Sequence, residues 1–600
     1  MQSSATSNFP SALRVVPVLG IACLVVVASL LFLPPLADAF RIKNHVVSLA
    51  GYGLFLLYLA CAPATTARLP LLVRLALIAC LTTIVISSLA ALHPIIAWQA
   101  GLELLPLGLI FWLLVQQQDC ASIARVLEKA WVFAGILVAV VALLQAVMPQ
   151  WLDIGLVAAD KLAAFSTLGN PIWASLLLVV ALPLAVQGAR QGPRLLWCGP
   201  LIVLAALWAT QSRQAWLAVV CMGWTAVVWK GGQRPRKLAL AALLLLLCAL
   251  PFVDFSANMF HSLQGRLLIM RGAWQMFWDH PLTGVGLGHL GAAYPRYQAA
   301  LLADPGWRSY AGHAAVTDDA HNEFLQWAAT TGALGLAGFT LLCASVLWLG
   351  WRSAYVRVNL WHWYLGYAGL LVTLLFTGIQ AQSALGLLLV SCLAVVLAGA
   401  NQSAVRVRSS RSMTLVCGAV LLALALAAAQ WALRDVRADY WEGQGDRVMQ
   451  ERDAWLAQQG FEQALALDAD RSGVLKKHAS ILYLDGRYAD ALADLARAKS
   501  LSGDTGIAML EAEILAKTGQ DVQAISAYQA IAASFPQLLS PQFILGQLYS
   551  RQHQPALARA AFQRVVDMAP SPFNQQLTQE KVLQQKQMAA AFIARLDRQQ

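Results

Sequence analysis

Apolar runs about as long as a bilayer core is thick recur along most of this chain, separated by short polar turns that carry its arginines and lysines. A helix needs about 20 predominantly apolar residues to cross the hydrocarbon core. Runs of that kind fall near 15–33, 45–62, 70–92, 94–115, 129–148, 172–188, 195–211, 214–229, 237–253, 324–350, 362–380, 383–400 and 412–433. They predict thirteen membrane-spanning helices. The first run is followed by Pro34-Pro35 with no small-residue cleavage pattern, so it reads as a retained span.

Beyond 433 the pattern changes to one rich in Ala, Gln, Asp and Arg. Gly486-Arg-Tyr-Ala-Asp-Ala491, Gly519-Gln-Asp-Val-Gln-Ala524 and His553-Gln-Pro-Ala-Leu-Ala558 repeat one turn-then-alanine pattern at spacings of 33 and 34 residues. Each leads into an apolar helix ending near Ser502, Pro536 or Pro570. The period resembles tetratricopeptide (TPR) repeats, in which helix pairs stack because neither buries its apolar face alone. Phe461-Glu-Gln-Ala-Leu-Ala-Leu-Asp468 reads as the second helix of an earlier, degenerate repeat. The expected fold is all-α, a polytopic transmembrane helical bundle with a TPR-like tail. Its divisions are 1–253, a first group of spans; 254–323, a large loop; 324–433, a second group of spans; and 434–600, the helical repeats.

Composition agrees with a membrane protein. With 59% hydrophobic and 12% charged residues and a mean hydropathy of +0.60, the chain is not one soluble globule. The net charge of +11 does not point to nucleic acid, because the basic residues are scattered over loops instead of gathered in a stripe. With the N-terminus inside, Arg68, Arg74, Arg125, Lys129, Arg190, Arg194, the Lys230–Lys237 turn, Arg352, Arg357, Arg406, Arg408 and Arg411 fall on the cytoplasmic side. Only Arg41, Lys43, Lys161 and Arg213 then lie in the short outer loops, as the positive-inside rule requires. The 254–323 loop, the turn carrying Arg213 and everything after 433 are therefore expected on the outer, periplasmic side. No nucleotide-binding signature occurs there, so group transfer on that side calls for a donor already carried across the membrane on a lipid. The ten cysteines sit in or beside apolar runs without metal-ligand spacing and read as small buried hydrophobes.

Chemistry concentrates where a polar run turns into an apolar helix, Thr317-Asp-Asp-Ala-His321-Asn322-Glu323-Phe-Leu325-Gln326. Asp318 or Asp319 is expected to cap a helix beginning near Ala320, with His321 in its first turn. There the positive helix end would keep the imidazole neutral and able to accept a proton. Gly332, Gly335 and Gly338 then recur at a spacing that lets helices approach closely in a bilayer. Arg213 lies at the outer end of a span, where an arginine marks a functional site unless it is paired. Arg266 and Arg271 belong to an amphipathic stretch suited to the membrane surface, which the Pro281-Leu-Thr-Gly284-Val-Gly286-Leu-Gly288 run ends. Those glycines lack the strand and helix that flank a phosphate loop. Arg296, Arg308 and His313 read as solvated loop. His261, His280 and His289, taken with Asp318, Asp319 and His321, follow no recognised metal spacing, so no metal is expected.

Ser212-Arg213, then Arg266 followed by Pro281-Leu-Thr-Gly284-Val-Gly286, then His321-Asn322-Glu323-Phe-Leu325-Gln326 and Gly332 occur in an order and spacing that resembles the O-antigen ligase and polymerase superfamily. Gly169-Asn170-Pro171 is similar to that family's upstream signature, and the resemblance covers roughly 165–340. The whole plan most resembles the bacterial O-oligosaccharyltransferases that glycosylate pilins and other exported proteins. Those enzymes often carry Gln-Pro-Asn where this chain has Asn170-Pro171-Ile172-Trp173. The resemblance implies a GT-C-like bundle in the bacterial inner membrane, in contact with its lipids. It implies en bloc transfer of an oligosaccharide from undecaprenyl diphosphate to an acceptor hydroxyl at the periplasmic face, with inversion and without metal or cofactor. It assigns His321, Arg266 and Arg213 to catalysis, and Arg271, Asn322, Gln326 and Asn170 to substrate binding. A pilin-like protein, lipid A core or a growing polymer remain open as acceptors. A transporter or flippase, and a scaffold displaying repeats, are the readings outside enzymes.

Overall fold

The computed structural model describes residues 11–33, 35–38, 40–60, 65–117, 119–148, 164–230, 257–380, 382–408, 410–568 and 579–598. From the N-terminus it forms α1 (Ser11–Leu30), α2 (Ile42–Ala60), α3 (Leu71–Ala90), α4 (Pro94–Gln116), α5 (Cys120–Val147), α6 (Pro171–Gln191), α7 (Cys198–Ala209) and α8 (Arg213–Lys230). Next come α9 (Ala257–Asp279), α10 (Leu290–Ala303), α11 (Glu323–Arg352), α12 (Ala354–Asn359), α13 (Trp361–Leu374), α14 (Ser383–Ala400) and α15 (Arg411–Gln450). Two three-residue strands, β1 (Thr65–Ala67) and β2 (Arg406–Arg408), pair antiparallel with Thr65 opposite Arg408.

Among the described residues eight helices, α2 to α6, α11, α14 and α15, are long and apolar enough to cross a bilayer. This is the architecture of a multi-pass membrane protein. Helices α1, α7, α8 and α13 stand where further spans were expected but fall short of that measure in the described residues, and the expected 237–253 span lies outside them. The shortfall at α13 has a local cause. The chain stops being helical at Leu374, not near 380, because the following amides are used to hold the 317–323 segment. Helices α6 and α14 run through the middle of the bundle and are buried on nearly every face, as their apolar, charge-free interiors require. Helix α15 lies at the edge, with Leu415, Val416, Val420, Leu422 and Leu426 exposed.

The change of composition near 434 does not interrupt the backbone. Helix α15 continues unbroken for 40 residues, about 60 Å at 1.5 Å per residue, and its polar end is already part of the repeats. An added side chain on Gly445 would meet the Phe461 ring at 2.5 Å, so that end of α15 pairs closely with α16 (Ala454–Leu467). Three further pairs follow: α17 (Ser472–Leu484) with α18 (Tyr488–Leu501), α19 (Thr505–Lys517) with α20 (Asp521–Ser534), and α21 (Leu539–Arg551) with α22 (Pro555–Asp567). Helix α23 (Gln579–Asp597) covers the last pair through Phe592 stacked on Phe562. The turns of the expected repeat pattern are those of the structure. Gly486 and Gly519 adopt φ of 77° and 79°, and His553 takes the same place at 56°.

Two attachments join the repeats to the bundle. At the stem, the buried Asp435 carboxylate receives His45 at 2.6 Å and Arg41 at 3.0 Å, while Arg471 meets Asp439 at 3.0 Å. At the far side, Phe535 packs among Leu268, Leu301, Leu302 and Ala314. Around it, Gln298 donates to the Ser534 carbonyl and Gln537 to the Ala314 carbonyl, both at 2.7 Å. Leu268 and Arg266 belong to the same helix, so this second attachment holds the helix that carries Arg266.

Candidate active site

Helix α11 starts at Glu323, three residues later than expected, and its cap is Asn322, whose Oδ1 accepts the Leu325 N–H at 3.0 Å. Neither Asp318 nor Asp319 caps it. Asp319 makes a local turn instead, with Oδ1 accepting the His321 N–H at 2.8 Å, the competing use to which short polar side chains are put near helix starts. His321 therefore lies outside the helix at φ 53°, and burial, not the helix end, governs its proton affinity.

The segment is held by the connection between α13 and α14. Asn322 donates to the Leu375 carbonyl at 3.1 Å. Asp319 Oδ2 accepts the Gly378 N–H at 3.2 Å, and the buried Glu323 accepts the Ile379 N–H at 2.7 Å and the Trp327 indole N–H at 2.9 Å. A side chain on Gly378 would come within 2.5 Å of Asp319 Oδ1, so glycine there is what lets the carboxylate approach. Gln326 closes the turn from inside, accepting the Ala320 N–H at 2.8 Å and donating to the Asp318 carbonyl at 3.3 Å.

Below this segment α11 breaks. Gly332 has φ 73° and ψ −167°, a region open essentially only to glycine. Gly332 is thus a kink and not a packing seam; Gly338 does bring α11 close to α3, where an added side chain would meet Ala79 Cβ at 2.9 Å. Backbone groups on either side of the break bond outside the helix. Val285 N–H bonds to the Ala329 carbonyl at 2.8 Å, Gly286 N–H to that of Thr330 at 3.1 Å, and Ala333 N–H to that of Pro281 at 2.7 Å. From α3, Ser87 and Thr83 donate to the Thr330 and Thr331 carbonyls, each at 2.8 Å. The Pro281–Gly286 turn therefore seats the end of α9 on the kink, and α9 carries Arg266. Polar hydroxyls within an apolar span are the sequence signal that points to Thr83 and Ser87.

Electrostatics show which residues come together. Burial lowers the His321 pKa, Asp319 acts to raise it, and the Arg266 guanidinium lowers it further. Burial likewise lowers that of Arg266, against the pull of Asp319 and with the repulsion of Arg213 adding to it. Arg266 of α9 thus interacts with His321 and Asp319 of the segment before α11 and with Arg213 of α8, which bears on the other two only through Arg266. Arg213 is exposed at the start of α8, beside Ser212, which accepts from Ser175 at 2.9 Å. Arg271 sits on the exposed stripe of α9 with Leu267, Trp274 and Trp278, turned away from Arg266 by its five-residue offset. Asn170 caps α6, accepting the Ile172 N–H at 2.8 Å. The amides of Asn170, Asn322 and Gln326 are thus engaged within the chain. Among the described residues no group of three His, Cys, Asp or Glu side chains is placed to hold a metal ion.

A cavity of about 430 Å³ opens elsewhere, where the loop at Asp38 and Arg41 and the start of α4 face Glu442, Arg471 and Lys477. The His321 group does not line it.

No curated protein matches the chain at a significant level. Residues 198–340 match the family model described as O-antigen ligase, a segment running from α7 past the kink of α11 and containing Arg213, Arg266 and His321. The match supports a place in the O-antigen ligase and polymerase superfamily and implies a glycosyl-transfer reaction. Among solved structures the chain is similar to YrrB, a TPR protein with an unusual peptide-binding site, at 20% identity over 29% of this chain and 85% of that one, with a TM-score of 0.22. It is also similar to MamA, at 15% over 26% and 96% with a TM-score of 0.21, and to PilF of Pseudomonas aeruginosa, at 19% over 30% and 83% with a TM-score of 0.22. The repeat reading rests on the helix pairs themselves and not on these scores.

Proposed function

We propose that the protein transfers an oligosaccharide en bloc from an undecaprenyl-diphosphate carrier to the hydroxyl of a Ser or Thr on an exported, pilin-like protein, at the periplasmic face of the inner membrane. The observation that carries this reading is a half-buried, neutral-favoured histidine beside Arg266, which in turn neighbours Arg213. His321 removes the acceptor proton. The acceptor oxygen bonds to the anomeric carbon from the side opposite the leaving group, which inverts that centre, and the C–O electron pair departs with the diphosphate. Arg213 and Arg266 stabilise the charge that develops there, a task for which paired N–H donors in a partly desolvated site are suited. No metal is needed, because the two guanidinium groups supply the positive charge. Asn170, Asn322 and Gln326 shape the site through the backbone they hold, and Arg271, on the exposed face of α9, meets the carrier or lipid phosphates.

The protein acceptor is supported by the repeats, which are fixed against the helix that carries Arg266 and offer a stacked-helix surface to a polypeptide. A ligase acting on lipid A core, or a polymerase, is the second reading, and the family description of the matched segment favours it. A transporter is disfavoured because its ionisable residues would lie at mid-membrane on broken helices, whereas here they gather at one end of the bundle. The test is transfer by the purified protein from an undecaprenyl-diphosphate oligosaccharide, offered a pilin-like protein and, separately, lipid A core, with and without chelator. Chelator-resistant glycosylation of the protein supports the first reading. Product on lipid alone moves the assignment to the second, and no transfer from folded protein to either sinks both.

A further inference from the structure

Each oxygen of Asp319 has a separate task. Oδ1 holds the backbone N–H of His321, while Oδ2 takes the Gly378 N–H and stands 3.7 Å from His321 Nδ1. That imidazole nitrogen is buried and has no hydrogen-bond partner, a costly condition for a polar atom. Closing the gap by less than an ångström brings it within hydrogen-bond range of Oδ2, and catalytic hydrogen bonds commonly tighten only with substrate bound.

The geometry points to Asp319 as the positioning residue of the reaction proposed above, taking the Nδ1–H of His321 through Oδ2 and so leaving Nε2 as the atom that removes the acceptor proton. The inference rests on that reaction. As the acceptor oxygen bonds to the anomeric carbon, its proton passes to Nε2 and the diphosphate leaves with the C–O electron pair. The imidazole, still bonded through Nδ1–H, becomes a cation beside Arg266. The Asp319 carboxylate is the group that acts on both.

The other ionisable groups facing His321 do not fill this place. Asp318 is pushed toward its neutral form by burial and by Asp319. Glu323 is occupied by the Ile379 and Trp327 N–H groups. Arg213 and Arg266 are of the wrong sign, and the 375–382 connection has no ionisable side chain.

Asp319→Asn keeps an oxygen for the His321 backbone N–H while its amide favours the wrong imidazole tautomer; the same amide forfeits the Gly378 N–H, so the unfolding midpoint is read beside the rate. In the transfer assay, kcat is expected to fall by about 10²-fold or more, with the donor KM within about twofold. The acidic limb of the pH profile should move to lower pH, since the anion that raises the His321 pKa is gone. Combined with His321→Ala, the substitution should cost nothing further, as expected for residues acting as a unit. A wild-type kcat and pH limb in Asp319→Asn, with His321→Ala inactive, overturns this inference alone; so does a double variant slower by the product of the two effects. Wild-type rates in His321→Ala overturn the base assignment and the inference together. Should Asp319→Asn fail to fold, Asp319→Glu keeps the charge but displaces it. A lowered kcat with an unmoved pH limb is then expected, and an unchanged kcat refutes the positioning role.

Discussion

His321 acts as a base only while its imidazole is neutral, and burial with the nearby Arg266 guanidinium holds its pKa below the ordinary value of about 6.5. Transfer should therefore be flat through neutral pH and fall only when the pH drops below that ordinary value, as protonation removes the base. A rate–pH profile of the purified protein checks this. His321→Ala should lower kcat by roughly 10²–10⁴-fold, and Arg266→Ala by about 10²–10³-fold, the range for removing one preorganised charge-stabilising donor. Beside Arg213, Gln214 is buried with neither its oxygen nor its nitrogen paired. Since such atoms forfeit their hydration without recompense, Gln214→Leu is expected to raise stability by about 1 kcal/mol or more, read as a higher unfolding midpoint. The polar run from Thr317 to Gln326 was legible in the sequence; the division of tasks within it was not. Asp318, Asp319 and Asn322 are all good helix caps, and only the contact of Asp319 with Gly378, more than fifty residues on, decides which of them caps and which turns.

At the scale of elements, the kink of α11 is the part that sequence spacing concealed. Gly332, Gly335 and Gly338 make a regular series that fits close helix packing, and nothing local distinguishes the glycine that breaks the helix from the one that packs it. The difference lies in what meets each residue, the Pro281–Gly286 turn at Gly332 and Ala79 of α3 at Gly338. Gly332→Ala must place a side chain 2.5 Å from the Leu282 carbonyl carbon and leave glycine-only backbone geometry. It is expected to cost about 1–3 kcal/mol and to depress transfer through displacement of α9, whereas a thermal midpoint and rate equal to wild type would contradict the role given to the turn. The apolar spans were legible because their length is set by the bilayer, and the repeats because their period is set by a stacked helix pair. The early end of α13 was hidden, since Thr377-Gly378-Ile379 is apolar enough to continue a span and leaves the helix only to bond with Asp319 and Glu323.

For the whole molecule, two attachments fix the repeats against the bundle. Arg471 is nearly buried against Asp439, so Arg471→Ala leaves that buried carboxylate without its guanidinium and should destabilise the junction by roughly 3–5 kcal/mol. Limited proteolysis should then cut near the stem, where the wild type resists. Phe535→Ala empties the opposite attachment, at a cost of about 3–5 kcal/mol for a buried phenylalanine. It should slow transfer although Phe535 touches no substrate, and a full rate in that variant would show that the repeats do not brace Arg266. Because α15 leaves the bundle as one uninterrupted rod, the angular setting of the repeats is written into the residue count between Arg411 and Gln450. One alanine inserted after Leu433 would rotate everything beyond it by about 100° and lift it by only about 1.5 Å, turning Phe535 away from α9. Seven inserted residues would bring the rotation back to within about 20° of the start while adding about 10 Å of height. The chain is in this sense a dial as well as a spacer, and the repeats meet α9 at one bearing.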